Sequence, residues 1–225
     1  MKTEQVEHTT DPRECRAVTA IDPASVAEDA PASHDALLRF CRHKQLRAAT
    51  SGVHSAIDVQ VSAAGFFATP ERYAIYLQRM LAFQKSFDAA ACGIRDDWLG
   101  KWGIPQRVSW LADDLAVFDR TPPCELASAT ARAWRFANAS EVLGGLYVVM
   151  GAGLGARVLL ARAQPFKRPS GGGVAYLRGL SETPRWPEFL EFLNTTPAID
   201  ENDMCQGALR TFECVAAHLS GGDAE

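Results

Sequence analysis

Apolar side chains along most of this chain recur at intervals of three and four residues, the spacing that lines one face of an α-helix. After Ser33, a helix-capping residue type, Leu37, Leu38 and Cys41 are followed near that period by Leu46, Ala49, Val53 and Ile57, and Gly65 ends the run. Thr69-Pro70-Glu71 then supplies a capping hydroxyl, a first-turn proline and a first-turn acid in order. Tyr73, Tyr76, Leu77, Met80, Leu81 and Phe87 follow on one broad stripe, which predicts a second helix to about Cys92. Pro105 opens a third helix with Val108, Leu111, Leu115 and Phe118, and Thr121-Pro122-Pro123 separates it from a fourth over about 125–136. Residues 138–140 read as a break, 141–164 as the most apolar stretch, and 165–173, with its Ser-Gly-Gly-Gly run, as a loop. A short helix over 186–194 precedes a last one over about 200–219, with Met204, Ala208, Leu209, Phe212 and Val215 inward. No segment shows the sustained alternation of a strand. The expected fold is all-α, a single-domain bundle of seven or eight helices without internal repeats.

Composition changes this outline at its start. Residues 1–34 have no aromatic side chain and are punctuated by Pro12, Pro23 and Pro31 among Asp and Glu. Such a segment buries too little apolar surface to offset its ordering entropy and reads as a mobile arm ahead of a helical domain over 35–219, with 220–225 as a tail. The arm lacks the apolar core of a secretory signal, which points to the cytoplasm. In that compartment the six cysteines, with no Cys-x-x-Cys pair among them, read as reduced thiols. The net charge is −4, whereas wrapping a nucleic-acid backbone demands a basic face.

The glycine-rich stretch 143–156 admits several readings. Gly151, Gly153 and Ala156 fit the spacing of a dinucleotide-binding fingerprint, yet residues 171–180 contain no acid for the ribose and no companion strands are visible. Gly151-x-x-x-Gly155 matches a membrane-helix pairing motif, but the uncharged run 142–156 falls short of the roughly 20 residues that cross a bilayer. The remaining reading is a buried helix made slim by three glycines, each costing about 1 kcal/mol relative to alanine. Either close helix packing or a flat ligand against the bare backbone would require them.

Among five histidines, His8, His34 and His43 lie in or near the polar arm and His218 near the C-terminus. His54 differs, because Asp58 sits one helical turn after it and Arg47 two turns before it on nearly the same stripe. A carboxylate at that offset orients an imidazole and raises its basicity toward a metal at the other nitrogen. Arg47 is placed to meet an anionic ligand edge.

Together the two segments resemble the biliverdin-producing heme oxygenase family, and within it the bacterial, phytochrome-associated branch. The family's opening helix has the pattern Leu-Arg/Lys-x-x-Thr-x-x-x-His-x-x-x-Glu; this chain reads Leu46-Arg47-x-x-Thr50-x-x-x-His54-x-x-x-Asp58. The branch's distal helix reads roughly Gly-x-Leu-Tyr-Val-x-x-Gly-x-x-Leu-Gly-Gly, against Gly144-Gly145-Leu146-Tyr147-Val148-Val149-Met150-Gly151-Ala152-Gly153-Leu154-Gly155-Ala156 here. Trp186, Phe189 and Tyr176 also look like later family segments. The resemblance implies heme as substrate and cofactor, its iron bound by His54, with Arg47, Asp58, Tyr147, Gly151, Ala152, Gly153 and Gly155 around it, and leaves Arg185 or Arg178 as the candidate propionate partner. Gly151 and Gly155 would crowd the oxygen site so that one meso carbon is attacked, and biliverdin, carbon monoxide and ferrous iron would result. The implied partners are an electron donor, such as ferredoxin or a flavin reductase, and a bacterial phytochrome as biliverdin acceptor; no nucleic acid or membrane is expected.

The chain departs from the family at several positions. Ala152 replaces an Asp or Ser that anchors distal water, so protons have to come through water organised elsewhere. Ala156 adds a methyl where the second glycine of a pair stands, Asp58 is one methylene shorter than Glu, and Pro187 stands where a basic residue is common. Two alternatives use the same residues: a heme-binding or sensing protein without ring opening, and a helical interaction module without heme.

Overall fold

The computed structural model describes residues 41–120, 134–169, 172–182 and 185–220. These form α1 (Cys41–Ala63), α2 (Pro70–Ala91), α3 (Asp96–Lys101), α4 (Ile104–Ala116), α5 (Ala139–Ala163), a 3-10 turn (Gln164–Phe166), α6 (Ala175–Glu182), α7 (Trp186–Thr195) and α8 (Glu201–Ser220). Among the described residues there is no strand, so the fold is all-α as the periodicity predicts. The arm expected over 1–34, most of the fourth helix expected from 125 and the last five residues lie outside the described residues. Residues 134–136, where that fourth helix was expected to finish, are not helical.

Local chemistry sets the helix starts. Thr69 caps α2, its hydroxyl accepting from the Arg72 N–H, with Pro70 in the first turn. The expected inward stripe, Tyr73 through Phe87, is buried as a set. Asn138, read from sequence only as a break, is the cap of α5, accepting from the Ser140 and Glu141 N–H groups at 2.9 and 3.1 Å. Asp114 of α4 caps α6 from a distance, accepting from the Ala175 and Tyr176 N–H groups at 2.8 and 2.9 Å. The sequence reading contained neither α3 nor α6.

At the centre lies α5. With its 3-10 extension it is long and apolar enough to cross a membrane, yet 56% of its most apolar window is buried among the other helices. α8 crosses its first half at backbone contact. A Cβ on Gly144 would lie 1.8 Å from the Met204 carbonyl oxygen, and one on Gly207 would lie 2.1 Å from that of Glu141. α6 and α7 also pack on α5, α1 packs on α7 and α8, and α2 packs on α4 and α8. Cys92, Cys205 and Cys214 are free thiols.

Where α2 meets α8, His218 is buried. Its Nε2 lies 3.3 Å from Ser86 Oγ, and Nδ1 lies 2.8 Å from the Cys214 carbonyl oxygen. Burial holds its pKa below the ordinary 6.5, although the Cys214 carbonyl pulls the other way. The fold therefore favours neutral imidazole. As pH falls below 6.5 the unfolded chain takes up a proton that the folded chain resists, so stability present above that pH is lost as pH drops through the depressed folded pKa. Melting temperatures from about pH 8 to pH 5 should fall less steeply for His218→Gln than for the parent protein. Parallel curves would show that His218 does not carry the dependence.

Candidate functional site

A cavity of about 970 Å³ lies between α1 and the second half of α5. Met80 and Phe83 of α2, Phe212, Val215 and Leu219 of α8 and Trp186 of α7 complete its apolar walls. That is the upper end of the size range of small-molecule sites.

His54 lines the cavity from α1. Its Nδ1 lies 3.1 Å from Asp58 Oδ2, a direct contact that needs no bridging water despite the short Asp side chain. With the Nδ1 proton directed to Asp58, Nε2 is the nitrogen left with a lone pair. The Phe212 ring packs edge-on against the imidazole, centroids 5.8 Å apart. The side chains of His54 and Asp58 are 62% and 71% exposed, so packing alone does not explain the pair. Thr50, one turn before His54, donates back to the Leu46 carbonyl and meets the Tyr147 side chain across the cavity.

Bare backbone faces this wall. A Cβ on Gly155 would meet nothing within 4 Å, and one on Gly151 would only touch Trp186 at 3.7 Å. The cavity thus brings together His54, Arg47, Asp58, Tyr147, Gly151, Ala152 and Gly155.

Two residues singled out from sequence stand elsewhere. Gly153 faces the other way, its Cβ direction 3.1 Å from the Leu180 carbonyl oxygen, where it allows α6 to approach α5. Arg185 pairs with Glu188 at 2.6 Å, donates to the Lys101 carbonyl and lies over the Trp102 ring. Both border a separate cavity of about 320 Å³ beside α3 and α4. Ala156 is buried in the core, so its methyl does not intrude on the large cavity.

The sequence reading missed other wall residues. His43, set aside as lying in or near the polar arm, stands on α1 with its ring 6.1 Å from Tyr147 and 5.9 Å from Trp186. Desolvation, and secondarily Arg47, hold its pKa below the ordinary value. Gln84 and Tyr176 form a polar patch on the far wall, and burial pushes the Tyr176 phenol up to about 12. Tyr176 had appeared only as a family-like position and Gln84 not at all, because no sequence spacing links α2 to α6.

The donor set suits a metal brought in by a macrocycle. Among the described residues no three His, Cys, Asp or Glu side chains converge on one point, which an ion held by protein ligands alone requires. A metal carried by a porphyrin needs only one protein donor, and the cavity offers imidazole together with α5 backbone left bare at Gly151 and Gly155.

A profile described as heme oxygenase matches residues 42–219. The fold superposes on a solved heme oxygenase from Neisseria meningitidis, studied with NO and CO bound, with a TM-score of 0.61 and 25% identity over 82% of this chain and 95% of that one. A search of curated proteins returns no match. The chain belongs to the heme oxygenase family and is a heme oxygenase, an enzyme that opens heme to biliverdin.

Proposed function

We propose that heme, substrate and prosthetic group at once, binds in the 970 Å³ cavity, where His54 Nε2 would hold its iron. The observation that carries this reading is the opposition of one imidazole, oriented by Asp58, to the uncluttered backbone at Gly151 and Gly155. Bound heme would supply both the iron at which oxygen is reduced and the ring that is opened. The protein's own residues orient and exclude. Asp58 holds the imidazole tautomer, and Phe212 fixes the ring plane. The α5 backbone at Gly151 and Gly155 admits close approach on the open face and limits what else enters there. Arg47 and Arg162 are the guanidinium groups among the lining residues and suit the carboxylates of a porphyrin edge. Tyr147, Trp186 and His43 close one end of the cavity.

A reductase supplies electrons, as the family requires. The residues shared with the phytochrome-associated branch over 144–156 favour a bacterial phytochrome as acceptor of the product.

Hemin titrated into the purified chain should produce a saturable Soret band of histidine-ligated heme, and added ascorbate should convert it to the broad red absorption of biliverdin. A stable ferrous-oxy spectrum without pigment would point to a sensing role, and weak unsaturable binding would point to an interaction module.

A further inference from the structure

Dioxygen reduced toward water takes up one proton for each electron it receives, so a cavity in which heme is opened needs a proton source. Ala152 presents a methyl to the cavity, which neither donates a proton nor anchors water. The far wall is polar. Gln84 of α2 lines it at 1% exposure, and its side chain meets the Tyr176 hydroxyl of α6. Gln84 Oε1 is nevertheless buried without a hydrogen-bond partner. One helical turn further along α2, Asp88 Oδ1 is in the same condition. Buried polar atoms in folded proteins nearly always have partners, and ordered water serves where protein groups do not. Two orphaned acceptors four residues apart therefore mark seats for water leading from the cavity wall along α2 to Asp88, a residue itself part-exposed.

Building on the placement of heme proposed above, we infer that Asp88 is the proton reservoir of the cavity, acting through water ordered by Gln84 and Tyr176 in place of the polar side chain that position 152 lacks. In each transfer the protonated carboxyl gives its proton to adjacent water, that water passes one proton toward the cavity, and the carboxylate is reprotonated from solvent. The reductase supplies the electrons, so Asp88 ends unchanged. Because Asp88 does not itself line the cavity, it is a positioning residue.

Its surroundings suit the task. From α4 the buried Arg107 guanidinium acts on Asp88, from α6 Tyr176 acts on Arg107, and ahead of α5 Arg135 reaches the neighbouring Ala89 carbonyl at 3.5 Å. Desolvation outweighs the Arg107 charge and lifts the Asp88 carboxyl to about 6. A donor with its pKa near the working pH is both sufficiently protonated and sufficiently willing to release the proton.

The test compares Asp88→Asn, Asp88→Glu and Gln84→Leu in the full chain. In the hemin-free protein, carboxyl NMR should show Asp88 titrating near 6. With hemin and ascorbate, Asp88→Asn should slow biliverdin formation by at least about 10-fold and flatten its pH profile, with hemin affinity unchanged. It should melt no lower than the parent, since a costly buried charge is gone. Asp88→Glu should recover most of the rate, and Gln84→Leu should lower the rate while Asp88 still titrates. An unchanged rate and pH profile in Asp88→Asn would overturn the inference. So would hemin affinity or melting temperature falling in step with the rate, which marks a structural carboxylate. Failure of the parent protein itself to bind hemin would overturn the heme placement, and this inference with it.

Discussion

His54→Ala is expected to remove the proposed iron ligand and, with it, the histidine-type Soret spectrum and nearly all biliverdin formation. The reasoning starts from Asp58. A carboxylate that holds a metal-bound imidazole is typically worth 10- to 100-fold in affinity or activity, so Asp58→Ala should weaken hemin binding by roughly that factor. Loss of the ring itself should cost at least about 100-fold in turnover. Because the cavity would persist, free imidazole added to His54→Ala should restore the histidine-type spectrum. His43 supplies the control. It lines the same cavity, but its ring is packed among Tyr147 and Trp186 and it has no carboxylate one turn away. His43→Ala should therefore keep the Soret spectrum. If His43→Ala abolished it and His54→Ala did not, the ligand assignment would be reversed.

Features set by neighbours in sequence were legible before any coordinates. The Thr69-Pro70-Glu71 start of α2, the stripe from Tyr73 to Phe87 and the His54–Asp58 pair all depend on residues within one or two helical turns. What escaped depends on partners far along the chain. α6 was missed because its cap is Asp114, 61 residues before Ala175, so no capping residue stands at its own start. α3 spans only six residues, too few to establish a period. His43 was set aside for its nearness to the polar arm, and only the fold brings its ring beside Tyr147 and Trp186. Arg185 looked available for a ligand until Glu188 and the Lys101 carbonyl were seen to engage it. Gln84 and Asp88 share one edge of α2, four residues apart, and drew no notice in the sequence. Only the approach of α4 and α6 shows that this edge is turned inward.

The glycines of α5 show how one motif divides between two physical demands, and Gly144→Ala against Gly155→Ala separates them. At Gly144 a methyl would stand 1.8 Å from the Met204 carbonyl oxygen and 2.9 Å from the Ala208 nitrogen. Both are backbone atoms of α8, so no rotamer change relieves the clash and the two helices must move apart. The expected cost is about 3 kcal/mol or more, as for severe overpacking. For a chain of this length that corresponds to a fall of roughly 6–12 °C in melting temperature. Gly207→Ala, whose methyl would stand 2.1 Å from the Glu141 carbonyl oxygen, should behave alike. Gly155 has the opposite surroundings. Its methyl meets no atom within 4 Å, so alanine should gain about 1 kcal/mol of helix propensity and leave the fold intact or firmer. The same methyl would enter the space assigned to heme. Gly155→Ala should thus bind hemin more weakly or turn it over more slowly while melting no lower than the parent. Should it match the parent in both hemin affinity and turnover, the bare α5 wall would not be the ligand face, and the glycine there would have to be explained without heme.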